Sequence, residues 1–176
     1  MIVVCNATPL IALAAAGQFD LLRAVYGEIT IPDAVYHEVV VAGAGEAGGR
    51  EVAAAAWIKR HTVRNAALVQ ALELELDAGE AQAIALAVEL SAGLILLDER
   101  LGRHAATRLG LTVAGTLGVL IAAKDRRLLA AVRPVLDALR AQAGFWIGDD
   151  LHAAVLKTAG ESRSRRKDND ETVNDY

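Results

Sequence analysis

The chain has 176 residues, 54% of them hydrophobic, and a formal net charge of −4. This length suits one soluble domain with a substantial core, no apolar run reaches the length of a membrane span, and the N-terminus MIVVCN lacks the basic flank and cleavage site of a secretory leader, so a cytoplasmic protein is expected. The acidic balance gives no support for nucleic-acid binding through bulk positive charge, the single Cys5 excludes an internal disulfide, and no Cys/His spacing suggests zinc.

Ile2 to Cys5 is a short β-rich run that feeds directly into a helix, with Thr8 placed as its N-cap and Pro9 at its first helical position. That helix stops at Gly17, and Asp20 to Val25 forms a second short one. Ile29 and Ile31 lead to Pro32, which opens a helix whose Val35, Glu38, Val39 and Ala42 share a face. The glycine-dense GAGEAGG at 43–49 follows a helix and has no Lys-Ser/Thr after it, so it reads as a connection and not a phosphate loop. A short strand follows around Trp57 to Val63, then a helix within 64–75.

Asp77 restarts the chain. Glu80, Ala83, Ile84, Ala87 and Val88 fall at helical spacing, which puts Glu80 on the inward stripe. Leu94 to Leu97 is a continuous apolar run typical of a strand buried on both faces, and Asp98 emerges at its C-terminal end, where parallel sheets bind their ligands. A basic helix runs to Leu109, and the region from Arg100 to Arg133 carries seven basic residues against Asp125 alone, read either as an anionic-ligand surface or as solvated helix faces. Leu111 to Ala114 is a strand, and Gly115-Thr116 caps the next helix. A helix from Pro134 to Gly144, a strand-like Phe145 to Ile147 and a helix from Asp149 or Asp150 to Gly160 complete residues 1–160. Residues 161–176 are almost wholly polar and expected to be disordered. The repeated βα pattern defines an α/β domain with a mostly parallel central sheet. Trp57 and Trp146 read as packing residues, and His37, His61, His104 and His152 show no ligand spacing.

Asn6, Glu38, Glu80 and Asp98 all fall near strand ends or on inward faces. Each acid also has a plain structural reading: Asp77 and Glu80 have the spacing of a capping box, Glu38 could sit at the edge of its stripe, and Asp98 could cap the following helix. Clustered carboxylates repel one another unless protons or cations intervene, and hard oxygen donors select Mg²⁺ or Mn²⁺. Such ions bind phosphate oxygens and lower the pKa of bound water, so phosphodiester hydrolysis is the natural reaction.

The blocks IVVCNATPLIALAAAGQFDLL, IPDAVYHEV, LDAGEAQAIALA, LLDERLGRHAATRLGL and GTLGVLIAAK resemble the toxin-like (VapC-like) subgroup of prokaryotic PIN-domain proteins over about residues 1 to 160. The resemblance implies a three-layer α/β/α sandwich and a metal-dependent ribonuclease site built from acids. In that family the first acid usually ends the first strand, where this chain has Asn6; Glu38, Glu80 and Asp98 match the second, third and fourth, and Glu99 is an additional candidate metal ligand. Thr8 resembles the small hydroxyl residue that helps to order metal-bound water, and Arg100 and Arg103 are candidates to hold RNA phosphate. The resemblance further implies an antitoxin partner and a homodimer formed through helices. Asn6 retains an oxygen donor but lacks a formal charge, which weakens a hard-cation site. The alternative is therefore a PIN-like module, weakened in catalysis, that binds RNA or a protein partner.

Overall fold

The computed structural model describes residues 1–142 and 145–162; most of the polar tail expected at 161–176 lies outside the described residues. In chain order the elements are β1 (Val3–Cys5), α1 (Ala7–Ala15), α2 (Asp20–Tyr26), β2 (Ile29–Pro32), α3 (Asp33–Tyr36), a π-helical segment (His37–Ala42), α4 (Gly49–Ala54), β3 (Ile58–His61), α5 (Ala66–Leu72), α6 (Ala78–Glu89), β4 (Leu94–Leu96), α7 (Arg100–Arg108), β5 (Val113–Ala114), α8 (Thr116–Asp125), α9 (Arg133–Arg140) and α10 (Asp149–Thr158). The five strands form one sheet in the order β3-β2-β1-β4-β5, parallel throughout. In register, Val3, Val4 and Cys5 of β1 lie beside Leu94, Ile95 and Leu96 of β4.

The alternation of strand side chains divides the core between two faces. Val3, Cys5 and Leu96 join Leu10, Leu13, Leu22, Leu120 and Leu136 on one face, whereas Val4, Ile95 and Leu97 meet Ile84, Leu86, Ala105 and Ala106 on the other. Helices therefore cover both sides of the sheet, giving the expected three layers. Each fully buried Leu or Ile contributes roughly 1.5–3 kcal/mol of transfer free energy. Among the described residues no helix is long and apolar enough to cross a membrane.

Several local expectations change. Thr8 is not the N-cap of α1: Asn6 holds that place in an extended conformation, without a side-chain capping bond, and Pro9 stands within the first turn, where no helical N–H bond is lost. Pro32 closes β2 and opens α3 from the N-cap place, in extended backbone, one position before the first turn where it is expected. The helix after it widens into the π segment, with the Gly43 N–H bonded to the Glu38 carbonyl at 2.8 Å. Val35 and Val39 take the inward positions there, and Glu38 sits at the edge of the stripe, reached by solvent. Phe145 to Ile147 forms no strand; Ile147 is buried but Trp146 is 88% exposed, so this tryptophan is not a packing residue. Trp57 does pack, against Phe19 with ring centroids 5.3 Å apart.

Candidate active site

The chain passes outward from β1 to β2 and β3, then returns through α5 and α6 to place β4 on the other side of β1. Strand order reverses between β1 and β4, and loops leaving such a switch point diverge to open a crevice. Asn6 directly follows β1, and Asp98 follows β4 after Leu97. The first turn of α6 and the N-cap position of α7 bring Glu80 and Glu99 to the same edge, and the π segment brings Glu38.

Glu80 serves two readings at once. Its N–H donates to Asp77 Oδ1 at 2.8 Å, and its own Oε2 accepts from the Asp77 N–H at 3.4 Å, so the capping box forms. Its other oxygen, Oε1, is buried and has no hydrogen-bond partner. Asn6 is 3% exposed, and its Oδ1 is likewise buried without a partner. A buried acceptor left without a donor costs about 1–3 kcal/mol, so two at one edge are a deficit that a ligand can fill.

Two glycines make room for these oxygens. A Cβ on Gly79 would lie 2.8 Å from Glu38 Oε2, 3.3 Å from Asp77 Oδ1 and 3.4 Å from Asn6 Oδ1, so three oxygens from three elements surround one absent methyl group. A Cβ on Gly102 would lie 2.7 Å from Glu80 Oε1 and 3.0 Å from Leu97 Cδ2. Gln82 ties the two acid-bearing helices together, its Oε1 accepting from the Ala34 N–H at 3.1 Å.

Asp98 does not cap α7. Its Oδ1 accepts from the Thr116 N–H at 2.8 Å and its Oδ2 from the Thr116 hydroxyl at 2.7 Å, so it docks on the N-terminus of α8 instead. Gly115 takes the N-cap place of α8, within the expected Gly115-Thr116 cap, and Thr116, fully buried at the first helical position, gives its hydroxyl to Asp98 and makes no side-chain cap. Thr8 Oγ1 donates to Glu99 Oε1 at 2.7 Å and fixes that carboxylate against α1.

The charges interact as their placement requires. Partial desolvation against the neighbouring elements pushes the Glu38 carboxyl above its ordinary value, and the charges of Asp77 and Glu99 add to the effect. Burial does the same to Glu80, reinforced by Asp77, Glu99 and Glu38 and opposed by the Asp77 N–H. Asp98 is raised by burial against the two Thr116 hydrogen bonds and the Arg103 charge. Among the described residues, no three Asp, Glu, His or Cys side chains are gathered closely enough to hold one metal ion. The acids ring the crevice, and Glu80, Asp98 and Glu99 each lean on a separate donor. The set is nevertheless all hard oxygen, with two buried acceptors unmet, which suits a small divalent cation.

Of the basic residues, Arg103 donates from Nη1 to the Leu97 carbonyl at 2.8 Å and so braces the turn that carries Asp98. Lys124 and Arg133 bind Glu161, and Arg126 donates to the Val25 carbonyl, so part of the basic run is spent on packing. Arg100 is exposed and, with His104 and Arg108, lines a groove of about 550 Å³ opposite Glu75. Sequence reading assigned Asp77 only a cap and did not mark Gly79, Gly102 or Gln82. Spacing carries no sign of what those residues meet across the crevice.

A parallel α/β domain whose acids collect at the carboxyl edge, beside the switch point, belongs to the class that binds ligands between its central strands. Residues 2–161 match the model of a family described as a PIN domain, and the chain belongs to that family. PIN domains form a nuclease superfamily whose members generally use divalent metals, and PIN nucleases bind RNA. No curated protein and no solved structure gives a match.

Proposed function

We propose that the protein is a Mg²⁺- or Mn²⁺-dependent endoribonuclease of the toxin–antitoxin type, hydrolysing RNA phosphodiesters at the crevice between β1 and β4. The observation that carries this reading is the pair of buried oxygens without donors, Asn6 Oδ1 and Glu80 Oε1, set among mutually repelling carboxylates. A divalent ion bound there supplies Lewis-acid charge to the phosphate and to an attacking water. Glu38, Glu80, Asp98 and Glu99 offer carboxylate oxygens to it, and Asn6 an amide oxygen. Thr116 keeps Asp98 oriented, and Thr8 does the same for Glu99. Arg100 stands exposed to meet substrate phosphate, and Arg103 adds positive charge while bracing the Asp98 turn. An antitoxin that covers the acidic edge and a homodimer formed through helices belong to the same reading.

Asn6 favours a second reading, since an amide in place of the usual acid lowers the charge available to a cation: a PIN module that binds RNA or a protein without cutting it. Cleavage of single-stranded RNA with Mn²⁺ separates the two. The wild-type protein should cut, and Glu80→Gln and Asp98→Asn should each abolish metal-stimulated cutting. Cleavage unchanged in both variants rejects the site, and RNA binding by a wild-type protein that takes up no Mn²⁺ at millimolar concentration supports the second reading.

A further inference from the structure

The three oxygens around Gly79 belong to residues of different charge. Glu38 and Asp77 are carboxylates, Asn6 is a neutral amide, and the Asn6 oxygen is the buried one without a donor. Asp77 reaches this point while acting as the N-cap of α6, a task that uses Oδ1 alone; among the described residues its Oδ2 makes no hydrogen bond. Capping needs no charge, since Asn and Ser cap as well as Asp. A carboxylate here faces two other acids and raises the cost of leaving the cluster without a cation. The cluster is open to solvent through a groove of about 480 Å³ whose lining includes His37, Glu38, Asp77 and Gly79, so a hydrated ion can reach it.

We infer that Asp77 is a cation-binding carboxylate as well as a helix cap, and that beside Glu38 it supplies the negative charge that Asn6 does not. Affinity for a hard divalent cation rises with the number of charged oxygens offered to it. Asn6 and Asp77 face the same space from the ends of different elements, so charge lost at one is replaced at the other without moving the backbone. Gly79 is the residue that lets them meet. The inference rests on the metal-dependent reading above, and the experiment keeps their failures apart.

The test is a calorimetric Mn²⁺ titration of the wild-type chain, Asp77→Asn, Asp77→Ser and the double variant Asn6→Asp with Asp77→Asn, with melting curves recorded without metal. Asn and Ser preserve the cap and remove a charge that repels Glu38 and Glu80, so both single variants should melt no lower than the wild type at neutral pH while Mn²⁺ affinity falls by about tenfold or more. The double variant should recover affinity to within about threefold of the wild type, because the charge returns from the other side of Gly79. Wild-type affinity in Asp77→Asn and Asp77→Ser would reduce Asp77 to a cap and leave the metal-dependent reading standing. Affinity that falls and is not restored in the double variant overturns the exchange of charge between the two positions. A wild-type protein that takes up no Mn²⁺ overturns both readings.

Discussion

Gly102→Ala separates the stability of the domain from the placement of Glu80. Gly102 lies inside α7 with ordinary helical backbone, where alanine gains about 0.5–1 kcal/mol of helix propensity over glycine. The new methyl group would meet Glu80 Oε1 at 2.7 Å and Leu97 Cδ2 at 3.0 Å. Leu97 is fully buried against α6, so the carboxylate, the free end of a flexible side chain, is the group that must move. Overpacking of this kind costs about 1–3 kcal/mol, so net destabilisation should not exceed about 2.5 kcal/mol. For a chain of this size that corresponds to a fall in Tm of no more than about 10 °C. Displacing one buried hard oxygen should weaken Mn²⁺ binding by about tenfold and slow single-turnover RNA cleavage at least as much. Differential scanning calorimetry, a Mn²⁺ titration and a cleavage assay on the same preparation measure the three quantities. A variant that keeps full Mn²⁺ affinity and full cleavage would refute the argument that the space beside Gly102 is what holds Glu80 in its working position.

Two further predictions concern pH. Glu80 has its carboxyl raised by burial and by neighbouring acids, so its charge destabilises the fold above its folded-state pKa, and the penalty vanishes below the ordinary value of 4.5. Glu80→Gln should therefore melt higher than the wild type at about pH 7 to 8 without metal and no higher near pH 4; equal melting across the range would refute it. Glu161 behaves oppositely. Burial disfavours its charge, but the N–H groups of Val132 and Arg133 and the Lys124 ammonium outweigh this and bring its pKa down to about 2. The stability it contributes is present above 4.5 and lost as pH falls through about 2. Chemical denaturation should show Glu161→Gln weakened by roughly 2–3 kcal/mol at neutral pH, with the gap closing near pH 2; a gap independent of pH would show that the carboxylate charge is not what holds this end of the chain.

Much of the framework was legible locally. The apolar runs of β1 and β4 and the stripe of Glu80, Ala83, Ile84, Ala87 and Val88 name their elements and faces; the first four stripe residues are buried and Val88, at the end of α6, is half-buried. Such patterns are visible because strand and helix periods repeat over neighbouring residues. Element ends were less so. Thr8 and Pro32 look like helix starters, yet their roles depend on where the adjoining strand stops pairing, which is a property of the sheet. Phe145 to Ile147 shows why burial alternation alone does not make a strand: Ile147 is buried and Trp146 exposed, but no described strand pairs with the segment.

The residue types of the candidate site were set by sequence alone: Asn6, Glu80, Asp98 and Glu99 stand at strand ends and helix starts and Glu38 within a helix, and oxygen donors of that kind point to a hard cation before any fold is known. Which oxygen meets which was decided by tertiary structure. Thr8 and Glu99 are 91 positions apart, Ala34 and Gln82 are 48 apart, and Asp98 and Thr116 are 18 apart. No periodicity reaches across such separations, because the contact is made by crossover connections that bring different strand ends to one edge. The second role of Asp77 lies in the same category. Its spacing to Glu80 specifies a cap, but that the capping oxygen lies beside Glu38 and Asn6, around the space a Gly79 side chain would fill, is set by how three separate elements meet.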